Sequence, residues 1–478
     1  MMKTKSNTPS HSSQNISRRS VLIGSSAAVS SFMFLPRYVL GGNEHTPPSE
    51  KLNVAIIGTG GRGTQNMKEL IRLKDVHVMA VCDVMEHADY SRFYYGGIAG
   101  RKPAKEIVDI RYSSEESTKD YPECKEYIDF REMLDKEQGI DAVVVATPDH
   151  NHPIACLDAI RRGKHVYCEK PLARTVYECR KITEAAREMG VATQLGNQGH
   201  SGEGIRSTVE WIRDGVIGEI REVVSWHNGG THVGRRTERP EGVPVPEGLD
   251  WDRWLGPAEK RPYHPDYAPY TWRGWWDFGT GAMGDFFCHN ADPAFWALEL
   301  GHPISVEATQ YGNTRETPAQ AALAYFEFPE RGNLPPVRLT WYGGLMPGKP
   351  RELGPDEELV GGGNGILFIG SKGKIMCPGW AGDPVLIPTS LHKEYKRPEK
   401  TLKRSKGHHR DWVDACKGGE PASSNFEYSG HLTEMGMLAN AAIRAGEILY
   451  WDGENMKATN TDKAEPYIKP EYHNGWTL

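Results

Sequence analysis

His289 stands four residues after Asp285 and three before Asp292. On a helix those spacings put all three side chains on one face. An imidazole between two carboxylates is an acid/base station, because the carboxylates orient the ring and hold its pKa near neutrality. The plainer alternative is a helical histidine satisfied internally. Far upstream lies Gly58-Thr59-Gly60-Gly61-Arg62-Gly63. There Gly58 permits a tight turn, Gly60 lets backbone approach a pyrophosphate, and Gly63 allows close packing of a following helix whose N-terminus faces the phosphates. Asp83 follows Gly63 by about 20 residues, the place of an acid that accepts hydrogen bonds from the adenine ribose hydroxyls and repels a 2′-phosphate. NAD is therefore expected in preference to NADP, with Arg62 the one loop residue pulling the other way.

The elements that must carry these groups are readable around them. Val54 to Ile57 is a short apolar run suited to a buried parallel strand, Met67, Leu70 and Ile71 recur at helical spacing, and Val76 to Cys82 is a second strand ending at Asp83. A third strand, Ile140 to Ala146, breaks at Thr147-Pro148 and is followed by Asp149-His150-Asn151-His152-Pro153. A helix through Cys156, Leu157 and Ile160 ends at Gly163, and the strand Lys164 to Cys168 delivers Glu169-Lys170-Pro171. In an open α/β sheet, ligands bind beyond the carboxyl ends of the strands, where Gly58, Asp83, Thr147, Pro148, His152, Glu169 and Lys170 converge. Two histidines in one loop suggest a metal, but no further ligand is evident. The loop is read as lining a cofactor, and no metal is expected.

The second half is expected to bear the substrate. Gly196-Asn197-Gln198-Gly199-His200 is a polar, glycine-rich stretch ahead of a helix through Ile205, Val209 and Ile212. Six Trp (226, 251, 254, 272, 275, 276) fall within a Pro-rich crossover, a long loop of the kind that is usually functional. Aromatic faces suit the C–H faces of sugars, and Trp272 with Arg273, Tyr263 and His264 could bind hydroxyls. The alternative is that the Trp side chains anchor the crossover. Strands follow at Ile304 to Gln310, Ala321 to Phe328, Val337 to Tyr342, Ile366 to Ile369 and Lys374 to Cys377. In the second of these Ala322, Ala324, Phe326 and Phe328 make one apolar face. Helices are expected from His408 and over Gly430 to Leu449, and then a polar tail as an extended arm or disordered end.

Charge and composition exclude several classes. The chain of 478 residues carries a formal charge of −6, and five basic residues with no acidic one lie within the first 42. Removing those five from 57 leaves 52 basic against 63 acidic, a body at −11 that does not suit nucleic acid. Ser17-Arg18-Arg19-Ser20 before a short, diluted apolar run resembles a twin-arginine export signal, too short and polar for a stable anchor. Export as a folded protein by the twin-arginine translocase to the periplasm is expected. The eight Cys show no metal or paired spacing, so at most one disulfide is expected.

Ala55-Ile56-Ile57-Gly58-Thr59-Gly60, Ala146-Thr147-Pro148 with His152, Gly163-Lys164-His165-Val166 and Glu169-Lys170-Pro171 together resemble the glucose-fructose oxidoreductase, inositol dehydrogenase and rhizopine-catabolism (Gfo/Idh/MocA) family. The resemblance continues through Asp285, His289 and Asp292. It implies a Rossmann domain (46–171) and an α+β domain with an open, mostly antiparallel sheet (172–455). Around them stand a signal segment (1–45) and a tail (456–478). It also implies a homodimer or homotetramer, catalytic Lys170, Asp285 and His289, and Asn197 near the nicotinamide. Gln198, His200, Trp272, Arg273 and Asp292 are the expected substrate contacts, although Gln198 and His200 depart from the commoner family pattern. The implied activity is oxidation of a sugar or glycoside hydroxyl by tightly held NAD. Two alternatives stand beside it: an NAD-dependent glycosidase working through a transient 3-keto sugar, and a non-catalytic sugar- or cofactor-binding protein.

Overall fold

The structure, a computed structural model, describes residues 50–92, 95–114, 118, 121–229 and 237–478. The expected export signal around Arg18 and Arg19 lies outside the described residues. The first lobe is built on β1 (Leu52–Ile57) and β2 (Val76–Cys82), a small β3/β4 ladder (Ala88–Asp89, Ile98–Ala99), β5 (Lys125–Tyr127), β6 (Ala142–Val145), β7 (His165–Cys168) and β8 (Thr193–Leu195). The sheet order is β5-β2-β1-β6-β7-β8, all parallel. Every residue of β6 is buried, as its Ala-Val-Val-Val sequence requires with helices on both faces. The chain reverses its winding between β1 and β6, which opens a crevice at the carboxyl ends.

Register fixes the level at which the loops leave the sheet. Ile57 pairs with Cys82 and with Val145, Val145 with Cys168, and Cys168 with Leu195. Gly58, Asp83, Ala146, Glu169 and Gly196 therefore emerge side by side. The sheet extends past the boundary expected at 171, because the helix Val176–Met189 returns the chain to β7 as a sixth strand. That helix is capped by Thr175 and by Gly190 in the left-handed region. The Glu169-Lys170-Pro171 motif ends a strand, not the lobe.

The second lobe is a nine-stranded sheet, ordered β15-β14-β13-β9-β12-β11-β10-β16-β17. Its strands are β9 (Ile220–His227), β10 (Ser305–Tyr311), β11 (Ala321–Phe328), β12 (Val337–Gly343), β13 (Asn364–Gly370), β14 (Lys374–Pro378), β15 (Val385–Ile387), β16 (Leu449–Asp452) and β17 (Lys457–Ala458). Only β9 and β12 pair in parallel. In β11 burial alternates as expected, with Ala322, Ala324, Phe326 and Phe328 facing inward. One continuous apolar cluster holds both Val143 of the first sheet and Phe326 of the second. The long helix spans Phe426–Ala445, shifted from 430–449, because Asn425 caps its start and Gly446 its end.

Two expectations change here. The chain after residue 456 is a packed segment: β17 joins the sheet, a short helix runs Glu465–Ile468, and Ile468 is buried. Trp251, Trp254 and Trp275 sit with Tyr263, Tyr267 and Phe278 in their own buried cluster, so these Trp residues anchor the crossover. All eight Cys are free thiols, seven of them buried.

The helix Gly281–Asn290 rests on the second sheet through Phe287, whose ring lies 5.4 Å from Phe326 and 5.5 Å from Trp341. With Phe287 turned inward, Asp285 and His289 turn toward the crevice. Phe287→Ala should lower the unfolding free energy by about 3–5 kcal/mol, measured by urea denaturation. A loss below about 1 kcal/mol would show that the site helix does not depend on this contact.

Candidate functional site

A cleft of about 1030 Å³ lies over the carboxyl ends of the first sheet, walled on the far side by the helix Gly281–Asn290. Gly58 at φ +87° begins its floor, and a Cβ there would stand 2.7 Å from the Ala146 carbonyl carbon and the Thr147 nitrogen. A Cβ on Gly63 would stand 1.8 Å from the Gly58 oxygen. Only glycine lets this turn close under a following helix. Gly60, Gly61 and Arg62 line the cleft, while Thr59 is buried beneath it. The Thr59 and Met85 backbone N–H groups donate to Asp83, at 2.6 and 2.8 Å. Burial pushes the Asp83 carboxyl above the usual range against those bonds. Thr147, Pro148 and His152 line the same cleft, and His152 bridges the Thr147 and Pro171 carbonyls at 2.8 Å each. The turn that admits backbone approach and the fixed Asp83 carboxylate beside it fit a dinucleotide.

Arg62 is engaged by Glu169. Its Nε donates to Glu169 at 2.9 Å, and Asn66 and Gln198 donate to the same carboxylate at 2.9 and 3.1 Å. Burial would raise the Glu169 pKa, but Arg62, Asn66 and Lys170 hold it down to about 2. Lys170 in turn donates to Asp285 at 2.5 Å, and the Arg273 guanidinium spans from Asp285 (3.4 Å) to Asp149 (3.0 Å). Thr280 donates to Asp149 at 2.7 Å. Arg273 also stacks over Trp272 at 4.3 Å, and both line the cleft.

The acid/base station differs from its expected form. Asp285 is turned to Lys170 and Arg273, and the buried Nδ1 of His289 has no hydrogen-bond partner among the described residues. Burial first and the Lys170 charge second lower the His289 pKa to about 3, against the pull of Asp285, so the ring is not held near neutrality. The histidine is therefore neutral, with its Nδ1 enclosed in the protein. Asp292 is not on the same face: the helix ends at Asn290 and a new one, Asp292–Ala297, starts with Pro293 in its first turn. Proline lacks the N–H that would continue the first helix.

Asp292 instead accepts from Asn197 (3.0 Å) and Tyr428 (2.6 Å) and meets His200 Nδ1 at 2.9 Å. Ser424 closes this network on Asn197 at 2.7 Å. Asn197, His200 and Asp292 are buried and lie outside the cleft wall, which corrects their expected ligand contacts. They hold in place the turn that carries Gln198. Gln198 does line the cleft, bonded to Tyr167 at 2.7 Å and to Glu169.

Several wall residues lie beyond what local patterns reveal. Tyr90 covers the glycine turn, its hydroxyl 2.8 Å from where a Gly60 Cβ would stand. His409 stacks on Tyr167 at 5.2 Å and meets Asn66 at 3.1 Å. Trp380 holds φ +57° and is 56% exposed at the cleft, with its ring edge-on to His289 at 6.0 Å. The histidine pair opening the helix at His408 was the one sequence signal near these groups. Among the described residues the only three-ligand cluster of metal type is His302, His431 and Glu434, far along the chain from the expected histidines. Both Glu434 oxygens are already taken by Arg180, at 2.8 and 2.9 Å.

A six-stranded, doubly wound sheet with a glycine turn and ribose-side acid, joined to an antiparallel sheet that brings Lys170 and His289 together, defines a two-domain dinucleotide-binding oxidoreductase fold. Two models of one oxidoreductase family match: its NAD-binding Rossmann fold over residues 52–197 and its C-terminal alpha/beta domain over 212–324. The chain belongs to this Gfo/Idh/MocA family. An alpha-N-acetylgalactosaminidase of Shewanella oneidensis is 26% identical over 174 residues, 36% of this chain and 34% of that protein. A 2,7-anhydro-N-acetylneuraminate hydratase of Escherichia coli is 36% identical over 90 residues, 19% of this chain and 24% of that protein. The chain thus matches about a third or less of the length of these relatives. The WlbA dehydrogenase of Bordetella pertussis, solved with NADH and UDP-GlcNAcA, shares the fold at a TM-score of 0.54 with 18% identity, covering 84% of this chain and 99% of that one.

His150 and His408, like His289, are held down to about 3 by burial, and the unperturbed value is 6.5. Above pH 6.5 such a ring is neutral in both folded and unfolded chains. As pH falls from 6.5 toward 3, the unfolded chain takes up a proton that the folded chain refuses, and stability is lost. His289→Gln should therefore make the decline of unfolding free energy between pH 6 and 4.5 shallower by about 1.4 kcal/mol per pH unit. Parallel slopes for variant and wild type in denaturant titrations would refute the neutral assignment.

Proposed function

We propose that the protein oxidises a hydroxyl of a sugar or glycoside with NAD held tightly in the cleft. The observation that carries this reading is Lys170 and His289 on facing elements of one cleft, the ammonium clamped by Asp285 and the imidazole held neutral by burial. When bound, NAD supplies the hydride acceptor. The Gly58–Gly63 turn would hold the pyrophosphate, and Asp83 the ribose hydroxyls. That carboxylate favours NAD over NADP, and Arg62, spent on Glu169, offers little to a 2′-phosphate. His289 accepts the proton of the substrate hydroxyl, and Lys170 stabilises the developing alkoxide. Asp285 fixes the Lys170 ammonium, and Trp272 with Trp380 offers aromatic faces to the sugar.

The twin-arginine motif supports export to the periplasm, where no soluble NAD pool renews the cofactor, so NAD would have to stay bound between turnovers. The hydride would then pass to a second substrate or, in a second reading, return to the same sugar after its aglycone is eliminated and water adds in its place. The partial likeness to a protein named alpha-N-acetylgalactosaminidase supports it. Among the described residues no helix is long and apolar enough to cross a membrane. Tyr311, exposed on the nine-stranded sheet, and half-buried Tyr325 and Tyr342 there support assembly through that sheet.

Incubating the purified protein with natural and aryl glycosides, without added nucleotide, separates the two readings. A keto sugar with absorbance of bound NADH marks an oxidoreductase, whereas cleavage with no net NADH marks a glycosidase. Denatured protein that releases no NAD(H), together with folded protein that binds none, would end both. His289→Ala should lower kcat by at least about a hundredfold; turnover near wild type would remove His289 from the chemistry.

A further inference from the structure

The chain's final segment reaches the cleft at the end opposite Lys170. Asp83 N–H donates to the Tyr127 carbonyl at 3.1 Å, so Ile128 to Arg131, which follow β5, stand next to Asp83. From β2, which Asp83 follows directly, to β7, which leads through Glu169 to Lys170, the sheet crosses three strand spacings, on the order of 14 Å. With Asp83 on the adenine ribose and Lys170 at the reacting end, the β5 side of the cleft is where an adenine ring would lie.

Its wall there carries the apolar and aromatic side chains Ile128, Phe130 and Trp476, with Asp129 and Arg131 between and beside them. The Trp476 indole stacks beside Phe130 at 6.1 Å and 24°, and the Arg131 guanidinium lies 4.4 Å over it. Arg131 is itself held by Asp129 at 2.6 and 3.0 Å. The backbone that delivers the indole is anchored to the Trp-bearing crossover. Asn474 Nδ2 donates to the Gly256 and Ala258 carbonyls at 2.8 Å each, and the His473 N–H to Pro257 at 3.1 Å. Asn474 and Gly475, at φ +58° and +77°, then turn the chain toward the cleft. Asparagine and glycine are the residues that adopt this conformation at least cost.

We propose that Trp476 is the adenine-stacking wall of the cofactor site, and that it slows departure of the dinucleotide. This rests on the NAD-binding reading above. Base stacking on an aromatic side chain is a sequence-tolerant, face-on contact, which a half-buried indole beside Phe130 can supply.

The test compares NADH, AMP and nicotinamide mononucleotide binding to the full chain, stripped of bound nucleotide, by calorimetric titration. Trp476→Ala should weaken NADH and AMP about ten- to a hundredfold and leave nicotinamide mononucleotide unchanged. Trp476→Phe should recover most of the loss, while Trp476→Leu, which keeps apolar contact with Phe130, should not. Thermal unfolding of each variant, matched to wild type, separates stacking from loss of the segment's packing. AMP affinity unchanged in Trp476→Ala and Trp476→Leu, with wild type binding NADH, overturns the inference alone. Wild-type protein that binds neither NADH nor AMP overturns the NAD reading beneath it.

Discussion

Along the cleft and behind its wall, the ion pairs Arg62–Glu169, Lys170–Asp285, Arg273–Asp285 and Arg273–Asp149 form a chain of alternating charge, with Glu169 and Lys170 joined as sequence neighbours and Asp149 fully buried. Each of these groups would be costly to bury alone. Removing one partner of such a pair typically costs about 3–5 kcal/mol, because the other charge is left uncompensated. The chain starts in the glycine turn, passes through the end of β7, crosses to the helix Gly281–Asn290 and returns to the loop after β6. It therefore ties the two lobes together at the point where chemistry would occur.

That ribbon can close only because the sheet register delivers its members at one level. Pairing of Ile57 with Val145 and of Val145 with Cys168 brings Gly58, Ala146 and Glu169 into line. A slip of one residue in β7 would turn Glu169 and Lys170 to opposite faces. Against such a slip stand the fully buried Val166, Tyr167 and Cys168. The partner wall is set with equal economy by Phe287, whose burial against Phe326 and Trp341 leaves Asp285 and His289 no other direction to face.

What could be read from the sequence was local. The glycine turn, the four apolar strands and Asp83 share one stretch of chain, and period-two burial in β11 needs only its own eight residues. The i, i+4 relation of Asp285 and His289 was also legible, because one helix carries both. Asp292 was misplaced because the spacing argument assumed that helix continued through Pro293. The role of Asp285 was misjudged for a different reason: its partners, Lys170 and Arg273, are set by the meeting of two lobes and no spacing encodes them. The Trp residues divide in the same way, since Trp251, Trp254 and Trp275 find one another within the crossover while Trp380 and Trp476 arrive from separate parts of the chain.

Three of the walls that close the cleft come from the second half of the chain: the Trp-bearing crossover, the turn at Trp380 and the segment ending at Trp476. Each is held by bonds to backbone carbonyls or by a packed cluster. His150 and Asn151 reach the Trp254 carbonyl at 2.9 and 3.0 Å, and Asn474 reaches Gly256 and Ala258. Closure is thus part of the native contact set. The walls leave the Lys170 and Asp285 side chains only 17% and 13% exposed, and charges interact more strongly where water is excluded. The same exclusion that strengthens the ion chain lowers the His289 pKa. A ring too buried to hold a proton at rest can still receive one if the proton comes from a hydroxyl whose alkoxide forms beside Lys170, because charge is then created and compensated in the same place.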